Sequence, residues 1–501
     1  MEETLELVLS ELCRLTGNIK KIRTREPWEY PAHIRNHPLS VDLDLCNKYG
    51  LFAYLDTTKT KQGFNEFLDS FVNNGFNQND PVFITNRNFI QSLIQRKNAP
   101  YHNLRKLQIP GAEPDEKWEV QITDIKEDFF EIHHYLRFIY PVLGVFTPIY
   151  VLIGSLFSLP FIPFLLLLNG ILFISYRKNS YSRWQKIQSL AKQGKVFQKS
   201  FIYNAKDRKT SKRMLNELAQ LGDSSEYLVS FLPHLVLNVI FLWDLWKIKS
   251  FSKWKTKYSN HWNENVNYLL LLDKNLPFAN FSYLNLNTTL PLVANSLKSQ
   301  TIVHPMLPRN VRKFNPLPEV KPGDLVIITG SNMSGKTTYL RSIAVSLLFA
   351  KSGANILGSN FTFPNFEIHT LIRSQDSLED GVSFFYSEVR RLSEIIKNAE
   401  NSSQIPILFL DEILKGTNSK ERYIATREIL KALKNKNTIV FLTTHDLKLA
   451  EIPWAKLYHF TELELDGQMI FDYQIRDGIS HSTNALKILK KEGIPIEDDS
   501  D

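Results

Sequence analysis

Leu325-Val-Ile-Ile-Thr329 runs directly into Gly330-Ser-Asn-Met-Ser-Gly-Lys-Thr337. A short β-branched run reads as a buried strand. The eight residues after it satisfy G-x-x-x-x-G-K-[ST], and Thr338–Lys351 reads as the helix that follows. In such a turn glycines let backbone N–H groups curl around phosphate oxygens, and the helix start adds positive potential. The phosphate cradle is therefore Gly330, Ser331, Asn332, Met333, Ser334, Gly335, Lys336, Thr337 and Thr338. Lys336 is expected to bridge the β- and γ-phosphates of ATP, and the Thr337 hydroxyl to ligate Mg²⁺.

Two further strand ends supply the remaining chemistry. Ile407-Leu-Phe-Leu410 ends in Asp411-Glu412. Asp411 is expected to hold Mg²⁺ through water, and Glu412 to polarise the attacking water as general base. Thr438-Ile-Val-Phe-Leu442 ends in Thr443-Thr444-His445-Asp446, which places an imidazole where it could orient the γ-phosphate or the water. Lys336, Glu412 and His445 are the expected catalytic set.

The chain has 501 residues, 43% hydrophobic and 22% charged, with a formal net charge of +8. That is too long for one core and excludes a disordered or collagen-like polymer. Two cysteines, Cys13 and Cys46, provide neither a disulfide framework nor a multi-cysteine zinc site, so a reducing compartment is expected. The acidic start, Met1-Glu-Glu-Thr-Leu-Glu6, predicts no cleaved export signal.

Charge distribution divides the chain further. From Phe138 to Tyr176 there is no Asp, Glu, Lys or Arg over 39 residues. Such a stretch is a membrane segment or a hairpin buried in a large core. Leu159-Pro-Phe-Ile-Pro163 breaks it into two short helices, about 139–159 and 162–176, with Pro148 expected to kink the first. Residues 101–137 carry five Lys/Arg and eight Asp/Glu, whereas 177–213 carry twelve Lys/Arg and one acid, Asp207. The basic flank belongs on the cytoplasmic side, and it could meet lipid head groups or nucleic-acid phosphates. Phe231–Trp243 is apolar but short, and its Pro233, His234 and Asn238 favour a core helix over a span. Residues 180–300 read as helical, and Pro316-Leu-Pro318 with Pro322-Gly323 punctuates the change to alternating strands and helices.

These motifs together resemble MutS-type ATPases. Thr329-Gly-Ser-Asn-Met-Ser-Gly-Lys-Thr-Thr-Tyr-Leu-Arg341 is similar to that family's phosphate loop, and Ser383-Phe-Phe-Tyr-Ser-Glu388 to its S-x-F-x-x-E signature. Asp411-Glu-Ile-Leu-Lys-Gly-Thr-Asn-Ser419 resembles D-E-x-x-x-G-T, and Thr444-His445 the switch histidine. Phe471-Asp-Tyr473, Asp477-Gly478 and Gly493-Ile-Pro495 resemble the closing segment. Upstream, His37-Pro38, Asp42-Leu-Asp44, Gly50-Leu-Phe-Ala-Tyr-Leu-Asp-Thr-Thr-Lys-Thr60 and Gly63 resemble the start of the family's helical core, and His304-Pro305 the entry to the ATPase domain.

The resemblance implies an α/β fold: a P-loop, ABC-type ATPase domain at 304–501, preceded by an all-α lever or core domain. That core has its first part within 1–137, from about residue 37, and its second at 177–303, interrupted by the transmembrane or re-entrant hairpin 138–176. It also implies a homodimer sandwiching ATP, with Ser383 of one subunit approaching the other's γ-phosphate and Asn418-Ser419 along the interface. Double-stranded DNA is the expected macromolecular partner and membrane lipid the second, at the cytoplasmic membrane with the ATPase domain in the cytoplasm. No room is expected before residue 40 for a mismatch-recognition domain. Phe129-Phe-Glu131 has the spacing of that reader but lies in no recognisable reader domain, so mismatch reading is not carried over. The alternative is a membrane-associated mechanochemical or scaffolding ATPase that binds no DNA.

Overall fold

The computed structural model describes residues 29–72, 75–95, 136–157, 160–204, 207–223, 231–331, 333–372, 384–434, 436–465 and 468–479. Asn332, Ser383, Phe129–Glu131 and Gly493–Pro495 lie outside the described residues. The chain divides into two compact units, Thr58–Phe64 with Tyr101–Lys274, and Met1–Thr57 with Asn65–Pro100 and Asn275–Asp501.

The first unit is helical: Leu136–Phe157, Ile162–Asn204, Arg208–Asp223, Phe231–Phe241, and the helix Trp243–Leu284 as far as Lys274. Small residues let these helices approach. A Cβ on Gly222 would lie 2.4 Å from that of Ala191, and one on Gly194 would lie 3.2 Å from Leu218. Trp254 and Trp262 pack edge to face, and the Trp254 indole donates to the Met214 carbonyl at 3.0 Å. Asp273, fully buried, accepts from the N–H groups of Lys59 and Thr60 at 2.8 Å each and from the Thr60 hydroxyl at 2.6 Å. A Cβ on Gly63 would stand 2.4 Å from that carboxylate, which accounts for glycine three residues after Thr60.

The uncharged stretch forms the expected helical hairpin, broken at its Pro-Phe-Ile-Pro turn. Its first helix runs through Pro148 from Leu136 to Phe157. Its second does not stop at 176 but continues into the basic run as one 43-residue helix ending at Asn204. Among the described residues no helix is long and apolar enough to cross a membrane. Of the transmembrane or re-entrant hairpin expected at 138–176, the helical hairpin is what the described residues show. From Ile162 to Tyr176 the second helix is about 22 Å long, short of a hydrocarbon layer of about 30 Å, and beyond that it is charged. The hairpin is not buried in a core either, since Leu152, Phe157 and Ile174 are each about 70% exposed.

The second unit is built on a seven-stranded sheet. Phe366–Leu371, Ile405–Asp411, Ile439–Thr443, Leu325–Thr329 and Ala455–Leu465 lie parallel in that spatial order. Gln468–Asp477 closes one edge antiparallel, and Gly75–Phe76 closes the other. The central strands Leu325–Thr329 and Ile439–Thr443 are buried at every position, as parallel strands covered on both faces must be. Phe409 and Phe441 stack at 5.3 Å between neighbouring strands. A second sheet uses Leu297–Ile302 paired with Asn315–Val320 and Ile356–Ser359. The expectation of helix through residue 300 is corrected here: the helix ends at Leu284, and Thr288–Thr289, Leu292–Val293 and Leu297–Ile302 are strands. Their partners lie some 60 residues downstream, which local periodicity does not register.

Lys351, in the last turn of the Lys336–Lys351 helix, is buried with its ammonium outside any hydrogen bond, and burial lowers it to about 7. An unfolded chain keeps that proton until about pH 10.4. Between these values folding releases a proton, so stability rises with pH; at and below about pH 7 the full cost of the buried charge is present. Lys351→Met is therefore expected to raise the melting temperature at pH 7, with a gain that shrinks toward pH 10. A gain independent of pH in thermal melts would refute the assignment.

Candidate nucleotide site

The parallel strands deliver their C-terminal ends to one edge of the sheet, and the functional side chains collect there. Gly330 and Gly335 have φ of 137° and 108°, a region L-residues avoid. A Cβ on Gly330 would also stand 2.5 Å from the Phe460 carbonyl, so the turn closes only with glycine. The helix begins at Lys336, and the Lys336 side chain is 4% exposed. Its ammonium donates to the carbonyls of Gly330 at 2.9 Å and Ser331 at 2.8 Å. Burial lowers its pKa against the opposing pull of Glu412 and Asp411.

Thr337 donates its hydroxyl to one oxygen of Asp411 at 2.8 Å, and Thr443 donates to the other. This aligns a hydroxyl with a carboxylate across two strand ends, the oxygen set that Mg²⁺ prefers. Among the described residues no group of three or more His, Cys, Asp or Glu is placed to hold a metal. Mg²⁺ bound with a triphosphate needs none, because it takes one or two protein oxygens and completes its shell with phosphate and water. Thr337 and Asp411 thus fit the ion.

Glu412 follows on a backbone at φ 49°, and Leu414 at φ 61°, both outside the ordinary region for their types. Each such residue costs on the order of 1–3 kcal/mol. The loop is held by the Glu412 N–H donating to the Thr443 carbonyl at 3.1 Å and by the Leu414 N–H donating to the Glu388 carboxylate at 2.7 Å. The Glu412 carboxylate sits 2.6 Å from His445 Nε2, 3.1 Å from the Lys415 ammonium and 3.8 Å from that of Lys336. Burial alone would raise its pKa, but hydrogen bonds and charge from His445 and Lys415 prevail and hold it at about 2. The short contact makes Nε2 a donor to Glu412, so Lys336, 3.3 Å away, lies beside the imidazole rather than bonded to it.

Lys336, Thr337, Asp411, Glu412 and His445 are therefore brought together, with Gly330, Ser331, Ser334 and Gly335 forming the turn. Ser334 is buried and donates to the Ser331 carbonyl at 2.8 Å. Met333 is 83% exposed at the loop tip, and Thr338 is exposed on the helix. Asn418 and Ser419 are exposed at the start of the Ser419–Lys434 helix, where Asn418 accepts from the Glu421 N–H at 2.9 Å.

Sequence reading missed five supporting residues. Thr443 and Lys415 carry no motif of their own. Glu388 was visible as the last residue of the S-x-F-x-x-E signature, but its role as acceptor for the strained loop was not. The pair Asp42 and Asp44 resembled part of the helical core, yet they anchor the nucleotide unit. Asp42 accepts from Arg391 at 2.6 Å on the helix bearing Glu388, and Asp44 from Arg341 at 2.7 Å on the phosphate-loop helix.

A family model described as MutS domain V matches residues 326–497. Over its C-terminal part the chain is MutS-related. It is 30% identical over 200 residues to the DNA mismatch repair protein MutS of Natronomonas pharaonis, covering 38% of this chain and 23% of the relative. Identity to MutS of Thermus thermophilus is 28% over 212 residues, 42% of this chain and 26% of the relative. Identity to MutS of Aquifex pyrophilus is 32% over 177 residues, 34% and 20% respectively. The chain spans about a quarter of the length of the MutS relatives it matches. The MutS domain V match opens inside the Leu325–Thr329 strand, and it includes each of the five convergent side chains.

Proposed function

We propose that this site binds ATP with Mg²⁺ and hydrolyses it. The carrying observation is the meeting of Lys336, Thr337, Asp411, Glu412 and His445 at the ends of three adjacent parallel strands. Lys336 would bind the β- and γ-phosphates, and Thr337 and Asp411 would hold the ion, which neutralises phosphate charge when bound. Glu412, ionised at every working pH, accepts a hydrogen bond from the attacking water, and His445 holds that carboxylate in place. A phosphate chain competes with Glu412 for Lys336, which leaves Glu412 a better proton acceptor. The catalytic unit is a homodimer through the nucleotide domains, in which Ser383 of one subunit would serve the other's γ-phosphate and Asn418-Ser419 would belong to the shared interface.

The chain then works as a DNA-associated, mismatch-repair-like ATPase at the cytoplasmic membrane, its nucleotide domain in the cytoplasm. Support comes from the MutS-related domain and the basic run at 177–213. A second reading has its own observation: the Ile162–Asn204 helix joins the exposed apolar second arm of the hairpin to the first part of that basic run without a break, which suits lipid head groups. On that reading the protein is a membrane-associated mechanochemical or scaffolding ATPase without DNA. Salt-titrated binding of duplex DNA separates them. Phosphate contacts give affinity that falls steeply with salt and ATPase stimulated by DNA. Immeasurable affinity at low salt removes the DNA reading.

A further inference from the structure

The hairpin and the Phe231–Phe241 helix reverse the polarity of a water-soluble bundle. Polar side chains face inward: Thr147, Asn169, Asn238 and Asp244 are fully buried, and His234 is nearly so. The Asn169 amide donates to the Thr147 hydroxyl at 3.2 Å and to the Val239 carbonyl at 2.8 Å, tying three helices at one point. His234 Nε2 lies 2.9 Å from Asp244, whose N–H donates to Asn238 at 3.0 Å, and the Phe173 ring meets His234 edge-on at 5.3 Å. Phe173 apart, large apolar side chains face outward. Leu152, Phe157, Leu167, Ile174 and Val236 are between 53% and 73% exposed. In water this arrangement wastes burial on both sides, whereas in hydrocarbon it satisfies both.

The start of the next helix, Trp243–Leu284, supplies the boundary. Trp246 packs where Gly144 has no Cβ; one there would stand 2.6 Å from the indole nitrogen. The Lys247 and Lys249 ammonium groups lie 4.8 Å and 5.4 Å over the rings of Trp243 and Trp246. Tryptophan with snorkelling lysine is the chemistry of a head-group layer, and cations there match anionic lipid. The 11-residue helix Phe231–Phe241 is about 16 Å long, half of a hydrocarbon layer of about 30 Å.

We propose that the Phe231–Phe241 helix is a third lipid-embedded element, joining the hairpin in an inside-out three-helix wedge. The wedge enters the acyl chains of one leaflet, with Trp243, Trp246, Lys247 and Lys249 at the head groups. This rests on the membrane attachment proposed above, and it replaces the expectation that Phe231–Trp243 is a core helix.

The test uses the full chain with Cys13→Ser, Cys46 being buried, and a single environment-sensitive fluorophore at Val236→Cys, Phe241→Cys, Ile171→Cys or Ile424→Cys. Vesicles of mixed phosphatidylcholine and phosphatidylglycerol are prepared with and without brominated acyl chains. The expected result is loss of emission at position 236 by the same fraction as at 171, a smaller loss at 241 beside the head groups, and no loss at 424. Quenching at 171 but not at 236 or 241 overturns the three-helix wedge and leaves membrane attachment standing. No quenching at any position removes the attachment and the wedge together. Blue-shifted emission at 236 without lipid, unchanged by brominated chains, assigns the face to a second copy of the chain and also overturns the proposal.

Discussion

Glu412→Gln is expected to bind ATP as tightly as the wild-type chain and to hydrolyse it at least about a hundredfold more slowly, the range lost when a positioned acid–base group is removed. Glutamine keeps the shape and one acceptor but loses the charge that His445 and Lys415 hold at 2.6 Å and 3.1 Å. Because the carboxyl sits at about 2, the wild-type rate carries no acidic limb from this group at any pH where the protein is handled, and the variant's deficit is the same from about pH 6 to about pH 9. Single-turnover hydrolysis beside calorimetric ATP binding separates the two effects. On the proposed dimer cycle, ATP holds the Gln variant in a closed dimer visible by size-exclusion chromatography. Wild-type turnover would remove Glu412 from the chemistry.

Lys336→Ala is expected to lose ATP binding altogether in calorimetry, a drop of more than about a hundredfold, since each charge-assisted hydrogen bond is worth roughly 1.5–3 kcal/mol. The fold should survive. The Lys336 ammonium is buried at 4% exposure with its pKa lowered by that burial, so alanine removes a desolvated charge as well as a ligand contact. The variant therefore melts no lower than wild type without nucleotide and gains nothing when ATP is added, whereas the wild type is stabilised by ligand. Arginine does not rescue, because a planar guanidinium does not fit a slot closed by the Gly330 and Ser331 carbonyls. ATP binding retained by the alanine variant would refute the phosphate role.

The nucleotide unit was legible because its signals are local. Gly330 and Gly335 occupy backbone conformations that other residues resist, and Lys336 and Thr337 follow within two positions. Each buried strand announces itself by an uninterrupted apolar run, and the acids or the histidine stand at its end. The braces were not legible. Glu388 holds the N–H of Leu414, and Asp42 and Asp44 reach Arg391 and Arg341 some 300 to 350 residues away. Nothing in composition or periodicity marks a carboxylate whose partner is that distant.

The uncharged stretch shows the other limit. Its helical hairpin and Pro-Phe-Ile-Pro break could be read directly, because proline and the lack of a polar face act within a few residues. Which side chains turn inward could not. Asn169, Thr147 and His234 are unremarkable in a string of letters, and only their convergence reveals a polar interior under an apolar surface. The phosphate turn, the strand ends and the hairpin were already set by the order of residues, because they depend on φ restrictions, on β-branching and on helix-breaking by proline. Folding in three dimensions was needed to settle which acids brace the turn, where the helix after 243 yields to strands, and which face of the hairpin meets its surroundings. Those depend on hydrogen bonds and packing between segments hundreds of residues apart, whose free energy exists only once the chain has closed on itself.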